Sequence, residues 1–151
     1  MKTTCLLFIL AATVAAVAQK KEEKKSPSPP EIYQAFLVAL VNGDKTTVER
    51  LAIPNKDLTA LTSTPVPAQH REQAIAEIKA APYRILKVGE VVQLPNGRML
   101  GPTEESEKKG WVMIANDSDP IPHMLQKSGD GWKVDAGDLT AARKAAAKQR
   151  K

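Results

Sequence analysis

The chain has 151 residues, one cysteine and a formal net charge of +5. This length suits a single domain, and a lone cysteine excludes an internal disulfide framework and a site built from several thiolates. Nucleic-acid binding is not expected, because residues 31–140 hold twelve Lys or Arg against fifteen Asp or Glu, without a basic stripe interleaved with aromatics.

The N-terminal segment has the layout of a secretory signal. Lys2 precedes an apolar run from Cys5 to Ala18, which closes on small residues. The run is shorter than the roughly 20 apolar residues of a membrane-spanning helix, so a retained anchor is the less favoured alternative. We predict that residues 1–18 are a signal peptide cleaved after Ala18. The mature protein is then secreted or periplasmic and has no membrane span.

Two charged segments flank the predicted domain. Residues 19–30 consist mainly of Lys, Glu, Ser and Pro, which predicts a disordered linker. Residues 141–151 carry five basic residues and no acidic one, and their alanines predict a basic C-terminal helix or tail. Such a tail is expected to make at most a weak contact with an anionic surface.

Residues 31–140 are predicted to form one domain that begins with helices. The first helix is apolar around most of its circumference and ends near Gly43. Asp44 or Thr46 is expected to cap the second helix, a short helical turn follows, and the last helix ends before Pro82 with His70 on its surface. The stretches are PPEIYQAFLVALVNGD, TTVERLA, NKDLTALTS and AQHREQAIAEIKAAP.

From Tyr83 onward the apolar spacing favours strands. YRILKVGEVVQL is strand-like, Asn-Gly in LPNGRML predicts a hairpin turn, and WVMIA predicts a buried strand. GPTEESEKKG and NDSDPIP are expected to be a loop and a turn. HMLQK and WKVDA are expected to pair as the closing hairpin.

The register of the closing hairpin predicts which side chains face the core. If Lys127 pairs with Trp132, then Leu125 pairs with Val134. Side chains alternate between faces along a strand, so Leu125, Trp132 and Val134 are expected to face the core while Asp135 points outward. The aspartates at 130 and 138 are expected to serve a turn and a helix N-cap.

This order of elements resembles the nuclear transport factor two-like superfamily, the cone-shaped roll that includes ketosteroid isomerases. The resemblance lies in AFLVALVNGD, in WVMIA and in PHMLQKSGDGWKVDAGDL, which is similar to the closing hairpin of small secreted bacterial members. It implies an α+β fold, in which N-terminal helices pack on a curved antiparallel sheet. It also implies a homodimer paired through the sheets. The Ala-rich C-terminal helix predicted for this chain is a departure from the family pattern or a terminal addition to it.

Few residues suggest chemistry. The catalytic candidates are His123, Tyr33 and Asp135. Tyr83 is a further residue whose side chain could take part in acid–base chemistry. His123 is expected to be a partly exposed residue at a strand end, the alternative being that it faces the interior. The two histidines are too far apart in sequence for a local metal pair, so neither a metal nor a cofactor is predicted.

Two functions remain open from the sequence. The favoured one is a non-catalytic secreted or periplasmic module that binds a small apolar ligand or a partner protein through its cone or sheet. The alternative is a small lyase or isomerase, of the ketosteroid-isomerase-like kind, acting inside the cone. The candidate ligand-pocket residues are Phe36, Leu40, Trp111, Met113, Leu125, Trp132 and Val134.

Overall fold

The computed structural model describes residues 26–63, 65–117, 119–129 and 131–137. The predicted signal peptide, most of the linker, Asp130, the Asp138 cap and the C-terminal helix lie outside the described residues. The helices are α1 (Pro29–Asn42), α2 (Lys45–Leu51), α3 (Leu58–Thr62), α4 (Ala68–Ala80) and α5 (Glu104–Lys108). The strands are β1 (Arg84–Ile85), β2 (Val92–Gln93), β3 (Met99–Leu100), β4 (Trp111–Asn116), β5 (Asp119–Ser128) and β6 (Gly131–Val134).

Helix α1 begins and ends at recognisable capping signals. The Glu31 carboxylate accepts hydrogen bonds from the backbone N–H and the hydroxyl of Ser28, both at 2.7 Å. At the other end Gly43 adopts φ 70°, the left-handed conformation that closes a helix and favours glycine. The predicted helix is confirmed, and the reversal at Gly43 directs the chain into α2.

Helices α2 and α4 pack against α1, while α3 contacts α2 and α5 contacts β4. Asp44 caps α2 by accepting a 3.0 Å hydrogen bond from the Thr47 N–H, so of the two predicted caps the structure uses Asp44. Helix α4 lies against α1, where the Gln34 amide donates to the carbonyl oxygens of Ile78 and Ala81 at 3.1 and 3.0 Å. Its apolar side chains are only half-buried there, so α4 covers α1 less completely than its apolar pattern suggests.

Strands β1, β4, β5 and β6 form an antiparallel sheet in that order. The predicted hairpin register is confirmed: Lys127 pairs with Trp132, and Leu125 pairs with Val134. The other edge of β6 is met by the segment after α2, where Ile53 N–H donates to the Val134 carbonyl at 2.9 Å. That contact occupies backbone groups which an edge strand leaves open.

Three predicted segments differ from the structure. The expected loop at 101–110 contains α5, because Thr103 and Ser106 exchange side-chain and backbone hydrogen bonds in a capping box. The expected single strand at 83–94 is broken into β1 and β2 by a turn in which Glu90 N–H donates to the Lys87 carbonyl. Strand β5 begins at Asp119, inside the predicted turn.

The two sides of the sheet have separate apolar clusters. The helix side, which faces α1 and α2, includes Phe36, Ile114, Leu125 and Val134, each 0 % exposed. The hairpin side, which faces the two-stranded β2–β3 sheet, has a smaller cluster of Leu86, Met113 and Ala115, with Val92 and Met124 packed against it. The protein is therefore a mixed α+β fold whose main core lies between the helices and one side of the sheet.

Candidate functional site

A stack of aromatic rings lies where α1 crosses the helix side of the sheet. The rings of Tyr33 and His123 are nearly parallel, with centroids 4.4 Å apart and an interplanar angle of 22°. Tyr83, just before β1, meets the Tyr33 ring edge-on with centroids 5.1 Å apart. Offset-stacked and edge-on geometries are those that aromatic rings prefer. We call these three side chains the Tyr–His stack.

The Tyr–His stack is enclosed by protein. Tyr33 is 2 % exposed and His123 is 8 % exposed, and the Nε2 atom of His123 is itself buried. The prediction of a partly exposed His123 is wrong, because β5 starts at Asp119 and places His123 within the strand, opposite Ile114. The alternative, that His123 faces the interior, is the one observed.

Asp135 is separate from the Tyr–His stack. Its side chain is exposed on the other face of the hairpin, as predicted, and its Oδ1 accepts a 3.0 Å hydrogen bond from the Gly137 N–H. Of the three catalytic candidates, the structure brings together Tyr33 and His123 and leaves Asp135 as a turn residue.

The predicted pocket residues fall into three groups. Phe36, Leu125 and Val134 are fully buried and pack into one another in the helix-side core. Leu40 and Trp132 are half-buried and pack against that same core. Met113 belongs to the hairpin-side cluster, and Trp111 is half-buried at the start of β4. The first group fills the interior with side chains, so these residues contribute packing where a cone-like ligand site would need open volume.

Exposed apolar side chains concentrate in the segment between α4 and α5. Among the described residues, the large apolar side chains that are exposed are Ile85, Val88, Val91, Met99, Leu100 and Ile121. Five of the six lie within residues 84–101. The sixth, Ile121, lines an apolar surface pocket of about 340 Å³ together with Leu94, Pro95 and Asn96 of that segment. We call residues 84–101 together with Ile121 the hairpin surface.

Ion pairs and backbone hydrogen bonds shape one end of the hairpin surface. Arg84 contacts Glu90 at 3.1 Å and Asp117 at 3.9 Å. The Glu90 carboxylate also accepts a hydrogen bond from the Lys87 N–H, which together with Arg84 holds the pKa of Glu90 below its ordinary value. This carboxylate therefore fastens the turn that carries Val88.

A second surface pocket lies between α2 and α3. It has a volume of about 460 Å³ and is lined by Glu49, Pro54, Asn55, Lys56, Leu58 and Thr59. Asn55 Oδ1 already accepts a hydrogen bond from the Asp57 N–H, so part of its polar lining serves the turn before α3. The pocket brings together none of the predicted site residues.

The described part of the chain contains neither a cluster of possible metal ligands nor a helix that could span a membrane. Among the described residues, no three His, Cys, Asp or Glu side chains lie close enough together to hold a metal ion. No described helix is both long enough and apolar enough to cross a bilayer.

Sequence reasoning missed the hairpin surface. Val88, Val91 and Met99 stand beside other apolar residues, as in an ordinary strand, so the sequence around them does not distinguish an exposed side chain from a buried one. Comparison of the chain with protein-family models, with curated proteins and with solved structures found no match. The geometry of this chain is therefore the basis for any functional proposal.

Proposed function

We propose that this protein is a secreted or periplasmic binding module, without catalytic activity, that uses the hairpin surface and not its interior to bind an apolar partner. We also propose that its sheet is the curved sheet of a cone-like roll related to the nuclear transport factor two-like superfamily. The helices-before-sheet order and the register of the closing hairpin support that relationship.

The observation that carries the proposal is the contrast between the two sides of the sheet. On the helix side, Phe36 and Leu125 are 0 % exposed, so α1 occupies the space where a ligand would sit. On the hairpin side, Val91 and Met99 are 56 % and 58 % exposed. Several exposed apolar side chains within one short segment favour an interaction site, whereas packed ones are typical of cores.

An uncharged apolar dye, Nile red, distinguishes a surface site from an interior one. We expect a saturable fluorescence increase with the purified protein that is lost in Met99→Asp and in Val91→Asp. Tyr33→Phe, which removes one hydroxyl from the Tyr–His stack, is expected to leave dye binding unchanged. Binding that survives both aspartate variants and changes in Tyr33→Phe would show that the interior is the site. Circular dichroism establishes that each variant is folded.

One observation favours the alternative, a small lyase or isomerase. The structure brings a histidine and a tyrosine together at 4.4 Å between ring centroids, and such residue types perform acid–base steps in enzymes. The test is the isomerisation of a β,γ-unsaturated ketosteroid to its conjugated isomer, in which the proton removed beside the carbonyl is returned to the γ carbon. The binding-module proposal predicts no turnover above that of His123→Gln. Turnover that His123→Gln abolishes would favour the enzyme.

A further inference from the structure

The hairpin surface differs in charge from the rest of the domain. Residues 84–101 contain Arg84, Lys87 and Arg98 against the single carboxylate of Glu90, a net charge of +2. The rest of residues 31–140 contains nine basic and fourteen acidic residues, a net charge of −5. The segment that holds most of the exposed large apolar side chains is therefore also a basic segment in an otherwise acidic domain.

Two of the three basic side chains in residues 84–101 are available to a partner. Arg84 is engaged with Glu90 and Asp117. Lys87 and Arg98 are both exposed, and neither forms a salt bridge with another described residue. Lys87 directly precedes Val88 and Arg98 directly precedes Met99, so exposed basic and apolar side chains are adjacent in this segment.

The turns of this surface project outward. A Cβ atom built on Gly89 or Gly97 would meet no other atom within 4 Å, so both turns face open space. Their glycines adopt φ 92° and φ 80°, conformations that tighten each turn. Both turns of the hairpin surface are therefore tight and open to solvent, and each lies close in the sequence to an exposed apolar residue, Val88 or Met99.

We propose that the hairpin surface docks on an anionic phospholipid bilayer, lying in its interface without crossing it. This inference rests on the proposed binding function and names its partner. An anionic bilayer offers both features that the surface requires: an apolar region at headgroup depth for Val88, Val91 and Met99, and negative headgroups for Lys87 and Arg98. The acidic remainder of the domain is repelled, which orients the molecule with this surface toward the lipid.

The flanking segments favour lipid over a protein partner. Residues 19–30 and 141–151 add net charges of +2 and +5 and contain no apolar side chain larger than that of proline. Attraction of such segments to an anionic surface needs no complementary shape and adds residue by residue. A protein partner, by contrast, requires a fitted interface, and nothing in the flanking segments supplies one.

Vesicle sedimentation tests the proposal on the protein purified from its own cells. We expect binding to phosphatidylcholine vesicles containing about 30 % phosphatidylglycerol, and little binding to phosphatidylcholine alone. Lys87→Glu/Arg98→Glu is expected to lower the partition coefficient about tenfold or more. The control Lys56→Glu/Lys79→Glu makes the same change in net charge at exposed positions outside the hairpin surface, and is expected to bind within about twofold of wild type. An equal loss in both double variants would overturn the proposal, because net charge alone would then explain the binding.

Tryptophan reporters test the apolar part of the contact. Met99→Trp is expected to shift its emission to shorter wavelength on anionic vesicles and to be quenched by brominated acyl chains. Ala76→Trp, on the exposed face of α4, is expected to show neither change beyond the signal of the native tryptophans. Quenching of Ala76→Trp but not of Met99→Trp would show that another face meets the lipid and would overturn the proposal.

The outcomes separate this inference from the proposed function. If Nile red binding is lost in Met99→Asp while no vesicle binds, the hairpin surface is a binding site but its partner is not lipid. If the protein instead self-associates with concentration and Met99→Asp abolishes the association, the occupant is a second copy of the chain. If Met99→Asp keeps both Nile red binding and vesicle binding, the hairpin surface is not the binding site, and the proposed function is contradicted as well.

Discussion

Both sides of the four-stranded sheet carry apolar side chains, but the elements that cover the two sides differ in size. On the helix side, the 14-residue α1 covers the strands, and Leu125 and Val134 are 0 % exposed. On the hairpin side, the cover is a pair of two-residue strands, which buries Met113 of the sheet but leaves Met99 and Leu100 of the cover itself exposed. The comparison teaches that a long helix packed against further helices becomes part of the core, whereas a short two-stranded cover buries the sheet beneath it and keeps its own apolar side chains at the surface.

A matched pair of leucines tests this contrast with the largest expected effect. Leu125→Ala empties a fully buried position between the helices and the sheet, and we expect a loss of about 2–5 kcal/mol in the free energy of unfolding. Leu100→Ala removes the same atoms from the exposed hairpin and is expected to cost less than about 1 kcal/mol. Urea denaturation measures both. Equal losses would mean that the two sides are equally well packed.

Trp132→Ala sharpens the boundary of the helix-side core. The indole packs against the core but is only half-buried, so we expect a loss of about 2 kcal/mol, below the 3–5 kcal/mol or so of a fully enclosed aromatic. The same denaturation experiment measures it. A loss as large as that of Leu125→Ala would indicate that the closing hairpin is covered more completely than the structure shows.

Gly43→Ala tests the corner that holds α1 in place. Gly43 has φ 70°, and an added Cβ would come within 3.1 Å of Pro65 Cβ. We expect a loss of about 1–2 kcal/mol from the left-handed conformation alone. Thermal unfolding checks the value, with Gly129→Ala as the control: φ is 59° there, but no atom lies within 4 Å of the new Cβ. We expect Gly43→Ala to lower the free energy of unfolding more than Gly129→Ala does, because only the new Cβ at residue 43 approaches another side chain. Equal losses would mean that the approach to Pro65 adds nothing.

The smallest effect concerns pH on the hairpin side. Hydrogen bonding from Lys87 N–H and the nearby Arg84 lower the pKa of Glu90 in the folded protein. A lowered folded pKa means that the carboxylate stabilises its turn above its ordinary pKa of 4.5, and that this contribution is lost as the pH falls through the folded value. An NMR titration of the Glu90 carboxyl should therefore show a midpoint below the ordinary value of 4.5. A higher midpoint would contradict the observed hydrogen bond.

Local signals predicted most of the scaffold. The Gly43 corner and the Lys127–Trp132 pairing follow from turn chemistry and strand alternation, both of which operate over a few residues. The buried position of His123 did not follow. Pro120 and Pro122 argue against a strand, yet β5 accommodates them where the pairing register shifts between Ile114 and Asn116.

The hairpin surface was not predictable for a different reason. The sequence shows that Val91 and Met99 are apolar, but their exposure depends on whether another element packs on the outer side of the β2–β3 hairpin. That is a property of the assembled fold and not of any short window. The Tyr–His stack was not predictable for the same reason, because its three residues come from α1, from the position just before β1, and from β5.

Hydrogen–deuterium exchange followed by mass spectrometry tests the central claim most directly, by comparing the protein with and without anionic vesicles. We expect protection to increase in peptides covering residues 84–101, while peptides from α1 stay slow to exchange and unchanged. Protection gained in α1 and β5 around Tyr33 and His123, with residues 84–101 unaffected, would contradict the account and place binding inside the fold.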